Sequence, residues 1–405
     1  MNSAETPRAV GSPPSQRLVS LDAYRGFVML LMMAGLTASF VSVSRALPGN
    51  PCWAFLAHHQ SHVQWLGCSL HDLIQPSFSF IVGVALPFSI ATRLARGQTM
   101  GRLTLHAAWR SVLLIILGVF LRSVGKAQTF FTFTDTLAQI GFGYTFLFLL
   151  GFRSVRDQWI AFALILLGDW LLFACYPEPG ADFDYAKVGV TPEWFAQYGL
   201  HGFAAHWNMN SNAAWAFDVW FLNSFPQQPR FGFNPGATCT LNFIPTLATM
   251  ILGLIAGETL RSDRSPKQKV RWLAVVGMVT LVAGWGSSAL GICPAVKKLW
   301  TPSWVLFSGG WCLLLMAFFY LVLDVWQRRG WAFPLIVIGF NSIAAYCLVH
   351  LIDGFIRSSL LTHLGKAPFL IFGKAFETFL LGTSSLFVLW LILFWMYRRK
   401  IFLRI

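Results

Sequence analysis

Residues 62–91 read HVQWLGCSLHDLIQPSFSFIVGVALPFSIA. A polar head ends at Asp72, and from Leu73 to Ala91 no charged side chain interrupts an apolar run. About 20 such residues is what a helix needs to cross a bilayer. Asp72 opens the helix, where a carboxylate complements the positive N-terminal dipole. Pro76 falls in the first turn, where a missing N–H is harmless. Similar runs precede and follow: Leu21–Phe40, Ala107–Val124, the shorter Leu137–Gly151, and Trp159–Cys175. After a long gap come Phe243–Leu260, Trp272–Leu290, Trp304–Trp326, Pro334–Leu351 and Phe379–Tyr397. The expected fold class is all-α: a polytopic transmembrane helix bundle of about ten spanning helices.

Composition agrees. The 405 residues are 56% hydrophobic and 11% charged, with a mean hydropathy of +0.60. A soluble domain carries about 25% charged residues. Residues 17–405 therefore read as one transmembrane domain, with a large outer loop at about 176–242. The polar, Pro/Ser-rich stretch 1–16 is expected to be a disordered cytoplasmic tail, and no cleavable signal peptide is read there. The net charge is +14, yet its cations are scattered through short loops between apolar runs. That is a topology signal and not a nucleic-acid groove. Seven cysteines without a Cys-x-x-Cys pair carry no zinc or redox signature, so no metal is expected.

Two thirds of the 30 Lys and Arg fall in alternate, short inter-run segments that include both ends of the chain. Positive charge marks the cytoplasmic side. The expectation is a multi-pass protein of the cytoplasmic (inner) membrane with both termini cytoplasmic. Loops 43–71 and 176–242 then face outward, as do eight of the nine histidines.

Several groups could carry chemistry. Asp22 and Arg25 share a helical face. They either fix the helix end or let Arg25 hold an anionic cytoplasmic ligand. His62 lies just outside the membrane, where a neutral imidazole serves as base or nucleophile near pH 7. Asn208 and Asn210 stand among Trp207, Trp215 and Trp220. Amides and ring faces suit a sugar, or form an interfacial aromatic belt. Lys297 and Lys298 sit on the wrong side for the topology rule and point to an anionic ligand or to lipid headgroups. His350 and Asp353, three residues apart, form a second candidate acid–base pair ranked behind His62.

The pattern Asp22-x-x-Arg25-Gly26, then His62-x-x-Trp65-x-Gly67, then Asp72-Leu-x-x-Pro76-x-Phe78-x-Phe80-x-x-Gly83 resembles the heparan-α-glucosaminide N-acetyltransferase family and its bacterial relatives. Thr240–Thr246, Lys297 with Leu299 and Trp300, and Gly339-Phe-Asn341-Ser-Ile343-Ala-Ala-Tyr346 extend the likeness over most of the chain. The resemblance implies a membrane-embedded acyltransferase that moves an acetyl group from cytoplasmic acetyl-CoA to a sugar amine or hydroxyl on the outer face. His62 then becomes the key histidine, with Asp72 orienting it. Arg25 and Asp22 serve the donor, and Trp65, Asn208, Asn210, Lys297, Trp300 and Asn341 the acceptor. His58, His59 and His71 share the segment but not the match. The sequence departs from the family at two asparagine positions: the first is Pro51 by back-counting from the histidine or Leu36 by forward alignment, and the second is Leu66. Expected partners are an acyl-CoA, a carbohydrate acceptor and the lipid bilayer, without nucleic acid, and with a homodimer as an option. The rival reading is a transporter or a glycan or lipid flippase without covalent chemistry. Its marks would be paired mid-bilayer charges or broken-helix repeats, and the sequence displays neither clearly.

Overall fold

The Asp324 carboxylate starts the bundle by accepting the backbone N–H groups of Val19 (3.2 Å) and Ser20 (3.1 Å). These are orphan donors of the first turn of helix α1 (Val19–Thr37). The structure, a computed structural model, describes residues 18–180, 182–226 and 228–403. The expected tail 1–16 lies outside the described residues. Two short helices, α2 (Phe40–Ala46) and α3 (Pro51–His59), lead through a loop to α4 (Ile74–Ala95), α5 (Met100–Ser123), α6 (Thr136–Leu150) and α7 (Val155–Ala174). Helices α8 (Pro192–Tyr198) and α9 (Ala213–Leu222) lie in the long connection to α10 (Phe243–Arg261). Then follow α11 (Pro266–Ala289), α12 (Pro302–Tyr320), α13 (Phe333–Phe340), α14 (Ser342–Leu364) and α15 (Glu377–Arg398).

Nine stretches among the described residues are long and apolar enough to cross a membrane. Helix α6, with 15 residues, is a shorter apolar helix against α5 and α10. The architecture is an all-α polytopic bundle, and the described residues contain no β-strand. At its centre α10 packs on α4 through glycines. A Cβ on Gly253 would strike the Phe80 carbonyl, and one on Gly83 the Met250 carbonyl. Small residues are what let two apolar helices approach when lipid offers no hydrophobic drive. Gly26 of α1 and Gly339 of α13 interlock in the same way against Leu335 and Asp22.

The structure corrects one expected span. Pro334–Leu351 is not a single helix: it breaks at Asn341 (φ −126°, ψ 41°), and the long helix runs on to Leu364. Hydropathy is continuous across the break, so the sequence hides it. The Asn341 amide explains it. Its Nδ2 donates to Ile401 O (2.9 Å) and its Oδ1 accepts from Leu403 N (3.1 Å), tying down the chain beyond α15.

The 176–242 connection is a folded cap with a core of its own. Trp65, Phe173, Val188, Trp207, Met209 and Cys239 are buried together there, joined by Val296 and Leu299 from the loop before α12. An isolated antiparallel bridge, Leu66 to Val296, ties that loop to the one bearing His62.

Candidate active site

Two cavities enter the bundle. One, of about 800 Å³, is lined by Met32 and Leu36 of α1, Ile74 and Gln75 of α4, and His62, His71, Lys297 and His350. The other, of about 780 Å³, is lined by Asp22 and Arg25 of α1, by Arg93, Arg96 and Arg110, and by Phe402 and Leu403. Helices α1, α4 and α14 each pass from one cavity to the other, so the two open at opposite ends of the bundle. Phe78, Thr136 and Tyr346 line both. The wall between the cavities is therefore about one layer of side chains thick at those three residues. Tyr346 is held there by its hydroxyl, which donates to Asp135 at 2.6 Å; Arg122 Nε donates to the same oxygen at 3.1 Å.

The first cavity holds His62. The loop after α3 folds back on Asp72, which is fully buried. Its Oδ2 accepts from Val63 N (3.2 Å), Ser69 N (3.0 Å) and the Ser69 hydroxyl (2.9 Å). Its Oδ1 faces His62 Nδ1 at 2.7 Å. A carboxylate has no proton to give, so Nδ1 carries the hydrogen, and in the neutral ring the lone pair is on Nε2. The His62 side chain is 50% exposed and lines the cavity, whereas Asp72 is sealed behind it. Such an arrangement orients an imidazole as a base or nucleophile.

Lys297 joins from 235 residues away. Its Nζ lies 3.3 Å from His62 Nδ1 and 3.8 Å from Asp72 Oδ1. Burial pushes its ammonium down to about 8, with Asp72 opposing that shift. Two contacts and one backbone turn set the loop. Asn242 Nδ2 donates to the Lys298 carbonyl (2.8 Å), the Trp300 indole N–H donates to Thr249 Oγ1 (3.1 Å), and Trp300 itself is left-handed at φ 55°.

The chain is 25% identical over 380 residues to the heparan-alpha-glucosaminide N-acetyltransferase of Homo sapiens, covering 82% of this chain and 52% of that protein. With the protein of that name from Mus musculus it shares 24% over 379 residues, covering 82% and 53%. The chain is a homologue of the heparan-alpha-glucosaminide N-acetyltransferases. It spans about half the length of the curated relatives it matches. No protein-family model matches the chain.

In this acetyltransferase homologue the motif residues divide into three groups. His62, Asp72 and Lys297 meet at the first cavity. Asp22 and Arg25 line the second, 3.6 Å apart. Trp65, Asn208, Asn210, Trp300 and Asn341 line neither. Trp65 is buried edge-on to Trp194. Asn208 holds both backbone groups of Leu200 (2.8 and 2.9 Å), and Asn210 donates to Val188 O and Asn234 O. Their amides knit the cap together. His350 and Asp353 do not pair, which corrects that candidate. The first has its Nδ1 on Tyr346 O (2.8 Å), and the second binds Arg357 (2.8 Å) and Ser385 (2.6 Å).

The structure adds residues that sequence reasoning missed. His71, Arg122, Asp218 and Arg230 line the first cavity. Burial pushes Asp218 up to about 6, against the Thr240 N–H that its carboxylate accepts. Arg93, Arg96 and Arg110 entered the sequence reading only as topology cations. Among the described residues no His, Cys, Asp and Glu side chains group as a metal site would.

Proposed function

We propose that the chain is a membrane acyltransferase that moves an acetyl group from acetyl-CoA to an amine or hydroxyl of a sugar. The donor enters at the arginine-lined mouth, which faces the cytoplasm together with both termini. The acceptor meets the acetyl group at the His62 mouth on the outer face of the inner membrane. One observation carries this reading: a histidine oriented by a buried carboxylate faces one cavity, and only Phe78, Thr136 and Tyr346 part it from a second, cationic one.

The chemistry follows from the arrangement. Arg25, Arg93 and Arg96 suit the phosphates of a CoA, because guanidinium forks match phosphate oxygens. A thin pantetheine arm threads the wall and brings the thioester to His62. The narrow wall at Phe78, Thr136 and Tyr346 limits the water that reaches the thioester. The lone pair on His62 Nε2 then either attacks the acyl carbon or takes the acceptor's proton, and Asp72 balances the positive charge the ring acquires. Lys297 offers positive charge as the thioester oxygen gains electrons.

The test uses purified protein in liposomes, with acetyl-CoA and a panel of amino sugars and neutral sugars. Release of CoA thiol and the mass of the sugar are the readouts. The reading predicts acceptor-dependent thiol release and an acetylated sugar. His62→Ala should still bind donor and lose at least about 100-fold in transfer. Sugar accumulating unmodified inside the vesicles, with no thiol released, would establish the transporter reading instead.

A further inference from the structure

We propose that His71 is the base for the acceptor half of the transfer, taking the acceptor's proton while His62 carries the acyl group. This rests on the acyltransferase reading and deepens it.

His71 opens the 3-10 turn His71–Leu73, directly ahead of Asp72. Its ring centroid stands 4.6 Å from that of His62, the planes tilted by 58°, and both rings line the same cavity. Packing holds it there. A Cβ on Gly35 of α1 would meet His71 Cε1 at 2.6 Å and Nδ1 at 3.1 Å, so the bare backbone of that glycine is the shelf on which the ring lies. Nearby imidazoles are each held through one nitrogen, and neither ring is stacked on that of His62. His59 Nδ1 accepts from Leu70 N (3.2 Å), and His350 Nδ1 is on Tyr346 O. No hydrogen bond joins either ring nitrogen of His71 to a described residue, and neither nitrogen is a buried orphan. Both can meet a ligand in the cavity, and burial, then the facing His62 and Lys297, push the imidazole down to about 4, so a proton taken there is held only in passing.

Electron accounting gives this second imidazole its role. In the first step His62 Nε2 bonds to the acyl carbon, the carbon–sulfur bond breaks, and the sulfur leaves as thiolate. His62 keeps its Nδ1 hydrogen on Asp72 and becomes a cationic acyl-imidazole beside that carboxylate. It now has no lone pair to offer. In the second step the acceptor's oxygen or nitrogen bonds to the acyl carbon, and the pair of the broken C–Nε2 bond returns to His62. The acceptor's proton must go elsewhere. Asp72 is filled by its four contacts, Lys297 is cationic below about pH 8, and Asp218 already accepts from Thr240. A ring nitrogen of His71 takes the proton and later yields it to water in the open mouth.

Rapid mixing separates the halves. Protein at stoichiometric concentration is mixed with acetyl-CoA alone, and thiol release is followed; acceptor is then added and its acetylation is followed. Native protein should give a burst of one thiol per site. His71→Gln, which keeps bulk but lacks the base, should keep the burst and lose at least about 100-fold in acceptor acetylation. His71→Ala should behave likewise and recover in part with added imidazole. Acetylation by His71→Gln within about threefold of native would overturn the inference. So would loss of the burst in both variants, or a native protein that transfers with no burst, since His62 would then keep its own lone pair for the acceptor. A native protein that releases no thiol under either condition contradicts the acyltransferase reading itself.

Discussion

Replacing Asp72 by asparagine preserves shape and reverses a proton. In the native site Oδ2 accepts from Val63 N, Ser69 N and the Ser69 hydroxyl, while Oδ1 alone faces His62 Nδ1. Asp72→Asn can keep one oxygen, and the backbone N–H groups of Val63 and Ser69 fix it on the Oδ2 side. The amide NH₂ must then point at His62 Nδ1, which has to become an acceptor. The hydrogen moves to Nε2, and the cavity-facing nitrogen loses its lone pair. Tautomer reversal in a histidine-based acyl-transfer site costs about 10⁴-fold in rate. Here His62 is half exposed and can re-orient, so about 10³–10⁴ is expected, or about 4–5.5 kcal/mol of barrier at 1.36 kcal/mol per decade. Donor binding should be unchanged, because Asp72 does not line the arginine-rich cavity. The assay is acetyl transfer by thiol release, beside calorimetric titration with CoA. A well-folded Asp72→Asn protein within tenfold of native activity would refute the tautomer argument.

Three further outcomes are expected. Lys297 is cationic below about pH 8 and neutral above it, so transfer should fall as pH rises through 8; in Lys297→Arg, whose charge persists, that alkaline limb should vanish, and a limb unchanged by the substitution would remove Lys297 from the site. Gly26→Ala drives a methyl into the Leu335 carbonyl, and overpacking of this kind costs about 1–3 kcal/mol; thermal unfolding in detergent should show a lower midpoint, whereas Gly101→Ala, with open space around it, should not. Single cysteines at Met100, Ala205 and Ser265, in a background lacking the exposed Cys52 and Cys175, should label from outside only at 205, and labelling of 265 from outside would invert the topology.

The spans were legible because bilayer thickness imposes one length on every helix, and apolar runs of that length are hard to hide. Their ends were read a few residues short where amphipathic turns extend beyond the membrane core, as at Pro266–Ala289. The Asn341 break was not legible: a side-chain amide serving a distant backbone leaves no trace in hydropathy. His62 and Asp72 were readable as a motif with the two residues ten apart, but their direct bond depends on the loop folding back through Ser69. Lys297 stood out in the sequence as a cation against the topology rule and in the family likeness, but its place beside His62 comes from tertiary packing alone. Asn208 and Asn210 show the limit of composition. Amides beside tryptophans suit a sugar site and equally suit a cap that satisfies its own buried carbonyls, which is what their hydrogen bonds do. His71 carried no signal, because its meaning lies in the ring that stands opposite it.

On the proposed function, one bound acetyl donor reaches from the arginine-lined mouth to His62. An experimental structure of the protein with CoA bound tests it most directly. The phosphates are expected at Arg25, Arg93 and Arg96, the pantetheine between Phe78, Thr136 and Tyr346, and the sulfur beside His62 Nε2. A CoA whose phosphates sit at the His62 mouth, or whose sulfur stops short of the wall at Tyr346, would contradict it.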